Sequence, residues 1–157
     1  MKKLQFKKDI KAPAARVYNV MLGIDNIKTY QEWTAAFNPT STYEGDPFEG
    51  SWSKGSKVLF VGQDENGKRG GMVSEIVENK PSEFVSIRHY GLIDGDKEIT
   101  TGPAVEKWAG SLENYSFQEK NGITSLVIDI DVAEEYIDMF STMWPAALDK
   151  LKEMVEG

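Results

Sequence analysis

The sequence predicts an α+β domain spanning residues 1–157, with an antiparallel sheet of about six or seven strands wrapped on one long carboxy-terminal helix. Two short helices are expected after the first strand. Three observations carry this reading. Lys3 to Ile10 alternates apolar and polar residues, the stretch from Thr42 to Val132 keeps the period of two between turn residues, and residues 134–156 change to helical spacing. A sheet with one apolar face needs a cover, and the last helix is the only element long enough to provide it.

In order, Leu4, Phe6 and Ile10 share one face of the first strand, while Lys3, Lys7 and Asp9 share the other. Pro13 suits the first turn of a helix, in which Val17, Val20, Met21 and Ile24 recur at helical spacing and Gly23 is the expected cap. Asp25 is the candidate N-cap of a second helix with Ile27, Tyr30, Trp33 or Thr34, and Phe37 on its apolar face, closed by Pro39. Strands follow at Val58–Val61, Gly71–Val77, Phe84–Tyr90, Leu112–Glu119 and Ile123–Val132. Turns are marked by Asp64-Glu65-Asn66-Gly67, Asn79-Lys80-Pro81, Asp94-Gly95-Asp96 and Lys120-Asn121-Gly122. Glu98 to Glu106, with Gly102-Pro103 at its centre, reads as a loop. The last helix carries Tyr136, Phe140, Met143 or Trp144, Ala147, Leu151 and Met154 on one stripe. Pro145 in its interior predicts a bend near Phe140–Ser141.

Composition excludes several functions. The chain has no cysteine and a single histidine, His89. Disulfides, thiolate nucleophiles, cysteine-bound metals and multi-histidine metal sites are therefore ruled out, and no metal or cofactor is expected. No apolar run approaches the roughly 18 residues that would span a bilayer, and the amino terminus lacks the apolar core of a secretory signal. The expectation is a cytoplasmic protein without a membrane span. The net charge of −7 disfavours nucleic acid as a partner. That charge is uneven. Lys2, Lys3, Lys7, Lys8, Lys11 and Arg16 crowd the start, and Asp129, Asp131, Glu134, Glu135, Asp138, Asp149, Glu153 and Glu156 crowd the end. The two ends are expected to be neighbours, with Lys3, Lys7 and Lys11 on the outer face of the first strand opposite Asp129 and Asp131 on the last. A docking surface is the alternative.

Several segments, taken in order, resemble a known family. They are Ile10-Lys-Ala-Pro-Ala-Ala-Arg-Val-Tyr18, Gly50-Ser-Trp52, Gly55-Ser-Lys-Val-Leu-Phe60, Gly71-Met-Val-Ser-Glu-Ile-Val77, Glu113-Asn-Tyr-Ser-Phe117, Asn121-Gly-Ile-Thr-Ser-Leu126 and Trp144-Pro-Ala-Ala-Leu-Asp-Lys-Leu-Lys152. Together they resemble the SRPBCC, START-like or helix-grip superfamily, and within it the domain homologous to the activator of the heat-shock chaperone ATPase. The resemblance implies a curved sheet gripping the long helix with an apolar cavity between them. It also implies one of several functions: a carrier of small apolar or lipid-like ligands, a chaperone-activating protein-interaction module tied to the stress response, or a cyclase or aromatase-type enzyme.

Strand parity suggests the site. Val85 and Ile87 share a face with His89, and Tyr115 and Phe117 share one with Glu113. If the apolar faces point inward, His89 and Glu113 become the polar groups of the cavity, unless His89 lies at the rim or a bulge reverses the parity. The expected walls are Trp33, Phe37, Phe60, Tyr115, Phe117, Phe140, Met143 and Trp144, and Trp52 and Trp108 are further candidates; all could equally be plain core. A buried histidine and glutamate are costly without partners, so they are expected to bond each other, a ligand or water. Catalysis has little support, because no nucleophile, base and orienting group stand together in the sequence. Binding of a small apolar ligand is the first reading, and a chaperone or other protein partner is the alternative.

Overall fold

A computed structural model of the protein describes residues 1–37, 47–63 and 66–157. Its strands are β1 (Lys2–Ile10), β2 (Phe48–Glu49), β3 (Lys57–Gln63), β4 (Arg69–Lys80), β5 (Phe84–Asp94), β6 (Lys97–Ile99), β7 (Ser111–Lys120) and β8 (Ile123–Val132). The helices are α1 (Ala14–Leu22), α2 (Ile27–Thr34) and α3 (Ile137–Glu156). The sheet is antiparallel and curved, in the order β1-β8-β7-β5-β4-β3-β2, with β6 paired to β5. The α+β architecture is as the sequence predicts. The additional strands, β2 and β6, are too short to show a period. The turn at Asp64-Glu65 and the stop at Pro39 lie outside the described residues.

The helices fit their sequence signals with one correction. Gly23 caps α1 in the left-handed conformation, and its N–H bonds back to the Val20 carbonyl at 3.3 Å. A Cβ there would lie 3.0 Å from that of Tyr30, so this glycine lets α2 pack closely against the end of α1. The N-cap of α2 is Asn26 rather than Asp25: the Asn26 side chain accepts from the Lys28 N–H at 3.1 Å. Asp25 is held outside the helix, where it accepts from Asn19 at 2.9 Å. Glu134–Tyr136 forms a tight 3₁₀ turn before α3, which then continues through Pro145. Pro145 and Ser141 are both on the exposed side, so the Ser141 carbonyl that loses its helical donor is left to water.

The core lies between the sheet and α3. Ala147, Leu148, Leu151 and Val155 are buried in one cluster with Ile10, Leu126 and Ile128. The charged ends do meet. Lys3 pairs with Asp131 at 3.3 Å, Lys8 with Asp149, and Lys152 donates to the Asp9 carbonyl at 2.8 Å. Asp129, however, accepts from Gln5 rather than a lysine, because the register sets Lys7 opposite Val127.

A bulge positions the site. Ser74 of β4 stands opposite His89, while Val73 stands opposite Gly91, so Tyr90 is an extra residue on β5. Before the bulge, Val85 and Ile87 belong to the main core with His89 on their face. After it, Tyr90 and Ile93 join Val61, Val73 and Leu59 in a separate small cluster. The parity argument from the sequence therefore holds up to His89 and fails immediately after it.

Candidate functional site

Four polar side chains form a chain across three strands. The Ser74 hydroxyl is 2.6 Å from His89 Nδ1. His89 Nε2 is 3.1 Å from one oxygen of Glu113, and the Tyr115 hydroxyl donates to the other. With Nε2–H donating to the carboxylate, Nδ1 is left to accept from Ser74, and a neutral imidazole satisfies every member. Strand register sets the order. Ser74 and His89 are direct cross-strand partners, and Glu113 and Tyr115 are two apart on β7, hence on one face.

A serine, histidine and glutamate in contact look like a hydrolytic triad, but access excludes that. Ser74 is fully buried at 0% exposure, so its oxygen cannot reach a substrate. Its role is to hold the imidazole. The accessible members are His89 and Glu113, whose side chains are 12% and 23% exposed.

These two groups face a pair of adjoining clefts between the sheet and α3, of about 250 and 240 Å³. Both clefts are lined by Met72, His89, Glu113, Phe140 and Trp144. The inner one is walled by Tyr30, Trp33, Phe37, Phe60 and Tyr115. Its rings are packed edge to face or tilted. Phe37 lies 4.9 Å from Trp144, Trp33 lies 6.0 Å from Trp144, and Phe60 is set edge-on to His89 at 5.8 Å. The outer cleft is lined by Trp108, by the exposed Tyr136 and Met139, and by Leu92 and Ile130. Burial, and then the negative charge of Glu113, hold the hydroxyls of Tyr30 and Tyr115 well above the usual phenol range.

Nine of the residues singled out from the sequence therefore line these clefts: Trp33, Phe37, Phe60, His89, Trp108, Glu113, Tyr115, Phe140 and Trp144. Phe117 does not line them. Tyr18 of α1 covers it edge-on at 5.7 Å, making it core. Met143 does not either, and the methionine at the mouth is Met139, on the preceding turn. Trp52 stacks on Phe48 at 4.4 Å and donates to the Leu22 carbonyl. Tyr30, Met72 and Ser74 went unrecognised as site residues. Only the cross-strand register brings Met72 and Ser74 to the site. The α2 spacing had already put Tyr30 beside Trp33.

No protein-family model and no curated protein sequence matches the chain. Solved structures do. A protein from Mesorhizobium loti superimposes with a TM-score of 0.69 at 10% identity, covering 98% of this chain and 96% of that one. The Aha1 dimer from Colwellia psychrerythraea gives 0.65 at 17% identity, with coverage of 99% and 97%. A protein from Nitrosomonas europaea gives 0.67 at 13% identity, with coverage of 98% and 93%. The chain thus shares the fold of the Aha1 dimer, a curved antiparallel sheet gripping a long helix. Among the described residues, no helix is long and apolar enough to cross a membrane.

Proposed function

We propose that this protein is a small-molecule binding domain, and that its ligand occupies the joined clefts between sheet and α3. One observation carries this reading. A chain of hydrogen-bonded polar groups presents His89 and Glu113 to an otherwise aromatic cleft, and a few placed polar groups in an apolar concavity are the usual composition of a ligand site. Phe37, Phe60, Phe140 and Trp144 supply the apolar contact, and His89, Glu113 and Tyr115 orient the ligand. Met139 at the mouth adapts to its shape. The test is a titration with Nile red, an uncharged apolar dye. Wild type binds it saturably, one per chain. Met72→Trp, which fills the junction of the two clefts, abolishes binding while the protein remains folded. Phe117→Ala, behind the site, lowers stability and keeps binding. An absence of saturable binding by wild type, or undiminished binding by Met72→Trp, overturns the reading.

The second reading is a protein-interaction module, favoured by the shared fold with the Aha1 dimer. It takes the first reading's place if the clefts bind nothing and the chain is captured by a chaperone ATPase.

A further inference from the structure

We infer that the clefts select cationic amphiphiles: an ammonium group seated among the aromatic rings beside Glu113, with an apolar body filling the remaining space. This deepens the ligand-binding reading and rests on it. The inference begins from what faces the clefts. Among the described residues that line either one, there is no lysine and no arginine. An anionic headgroup would therefore find no countercharge and would meet the Glu113 carboxylate. The donors nearest to it are already used: the Ser74 hydroxyl, the His89 Nε2–H and the Tyr115 hydroxyl are all engaged within their own chain.

Acceptor capacity, in contrast, is left over. Each carboxylate oxygen accepts up to two hydrogen bonds, and each Glu113 oxygen receives one. The rings of Tyr30, Trp33, Phe37 and Trp144 surround the same space. Aromatic faces attract cations, with indole the best of them. Rings and carboxylate together make a cage for an alkylammonium.

The mouth carries the same sign. The stretch that holds Tyr136 and Met139 bears Glu134, Glu135 and Asp138, all exposed and, among the described residues, in no ion pair. The stretch around Trp108 carries one glutamate and one lysine, Glu106 and Lys107, which offset each other. Asp131 in the outer wall is paired with Lys3. The entrance therefore attracts cations and repels anions.

Displacement of Nile red by three ten-carbon ligands below their aggregation concentrations provides the test: decyltrimethylammonium, decanol and decanoate. Decyltrimethylammonium is expected to bind at least ten-fold more tightly than decanol, with decanoate weakest. Glu113→Gln is expected to reduce the ammonium-to-alcohol ratio to less than three-fold, whichever way its affinity for the dye moves. Charge removal at the mouth, in Glu134→Gln/Glu135→Gln/Asp138→Asn, is expected to slow association of the ammonium in low salt and leave decanol unaffected. If decanoate equals or exceeds the ammonium, or Glu113→Gln retains the preference, the inference fails while the ligand reading stands. If Nile red itself does not bind, both fail.

Discussion

Replacement of Glu113 by leucine or by glutamine should have very different consequences, and the polar chain explains why. Leucine removes the acceptor for two donors at once. Tyr115 is buried at 3% exposure, and the His89 side chain is 12% exposed. A buried donor left without a partner costs roughly 1–3 kcal/mol. Water entering from the cleft relieves part of the cost at the imidazole, so the expected loss is about 2–4 kcal/mol. Each kcal/mol lowers Tm by roughly 2–4 °C in a domain of this size. Glutamine offers one acceptor and one donor group in nearly the same volume. The imidazole can move its proton to Nδ1, donate to Ser74 and accept at Nε2, while the Tyr115 hydroxyl still donates to the amide oxygen. Only the Ser74 O–H then loses its acceptor, so Glu113→Gln should cost about half as much as leucine, roughly 1–2 kcal/mol. Urea unfolding followed by tryptophan fluorescence measures both values. As His89 is the only histidine, its ¹⁵N spectrum reports the tautomer without assignment: protonated at Nε2 in wild type and at Nδ1 in Glu113→Gln. Equal destabilisation by the two substitutions, or an unchanged tautomer in the glutamine variant, would refute this account of the chain.

Other outcomes follow from the same geometry. Leu151→Ala, at a fully buried position where α3 meets the sheet, should cost roughly 2–5 kcal/mol in urea unfolding. Lys3→Ala should change stability by less than about 1 kcal/mol, and by less again in high salt, because the lysine side chain is 88% exposed. The carboxyl of Glu156 is held below its ordinary value by the Lys11 N–H and then by Lys152. Its contribution is present above about pH 4.5 and is lost as pH falls through the lower folded-state value. Glu156→Gln should therefore shallow the acid limb of the stability profile. Tyr30 and Tyr115 are shifted in the opposite sense, so stability should fall as pH rises past about 10. In an alkaline absorbance titration their ionisation should appear only with unfolding, and Tyr30→Phe/Tyr115→Phe should remove that late component.

Periodicity was sufficient for the elements and for the covering helix. The alternation of Leu4 and Phe6, of Val85 and Ile87, and of Leu126 and Ile128 sets which face is inward, and a single buried face leaves little freedom. The same alternation puts His89 and Glu113 on inward faces. Register was not legible. The bulge at Tyr90 depends on how β4 and β5 meet, so the partnership of Ser74 with His89 had no local signature. Phe117 shows the other limit: it has the inward parity of Tyr115, but Tyr18 on α1 covers it, and helix placement does not follow from strand parity. The difference between Met143 and Met139 has a similar origin. Helical spacing gives a stripe, and which turn of the stripe reaches the mouth depends on where the outer cleft opens.

Methionine-methyl NMR during a Nile red titration tests the central claim most directly, because the methionines sample different parts of the fold. Met72 lines both clefts and Met139 their mouth, whereas Met21 is fully buried in the main core, where α1 is packed. The account predicts saturable shifts at Met72 and Met139, in step with His89, and a Met21 signal that stays in place. Shifts that do not saturate, or that leave Met72 and Met139 untouched, would contradict it.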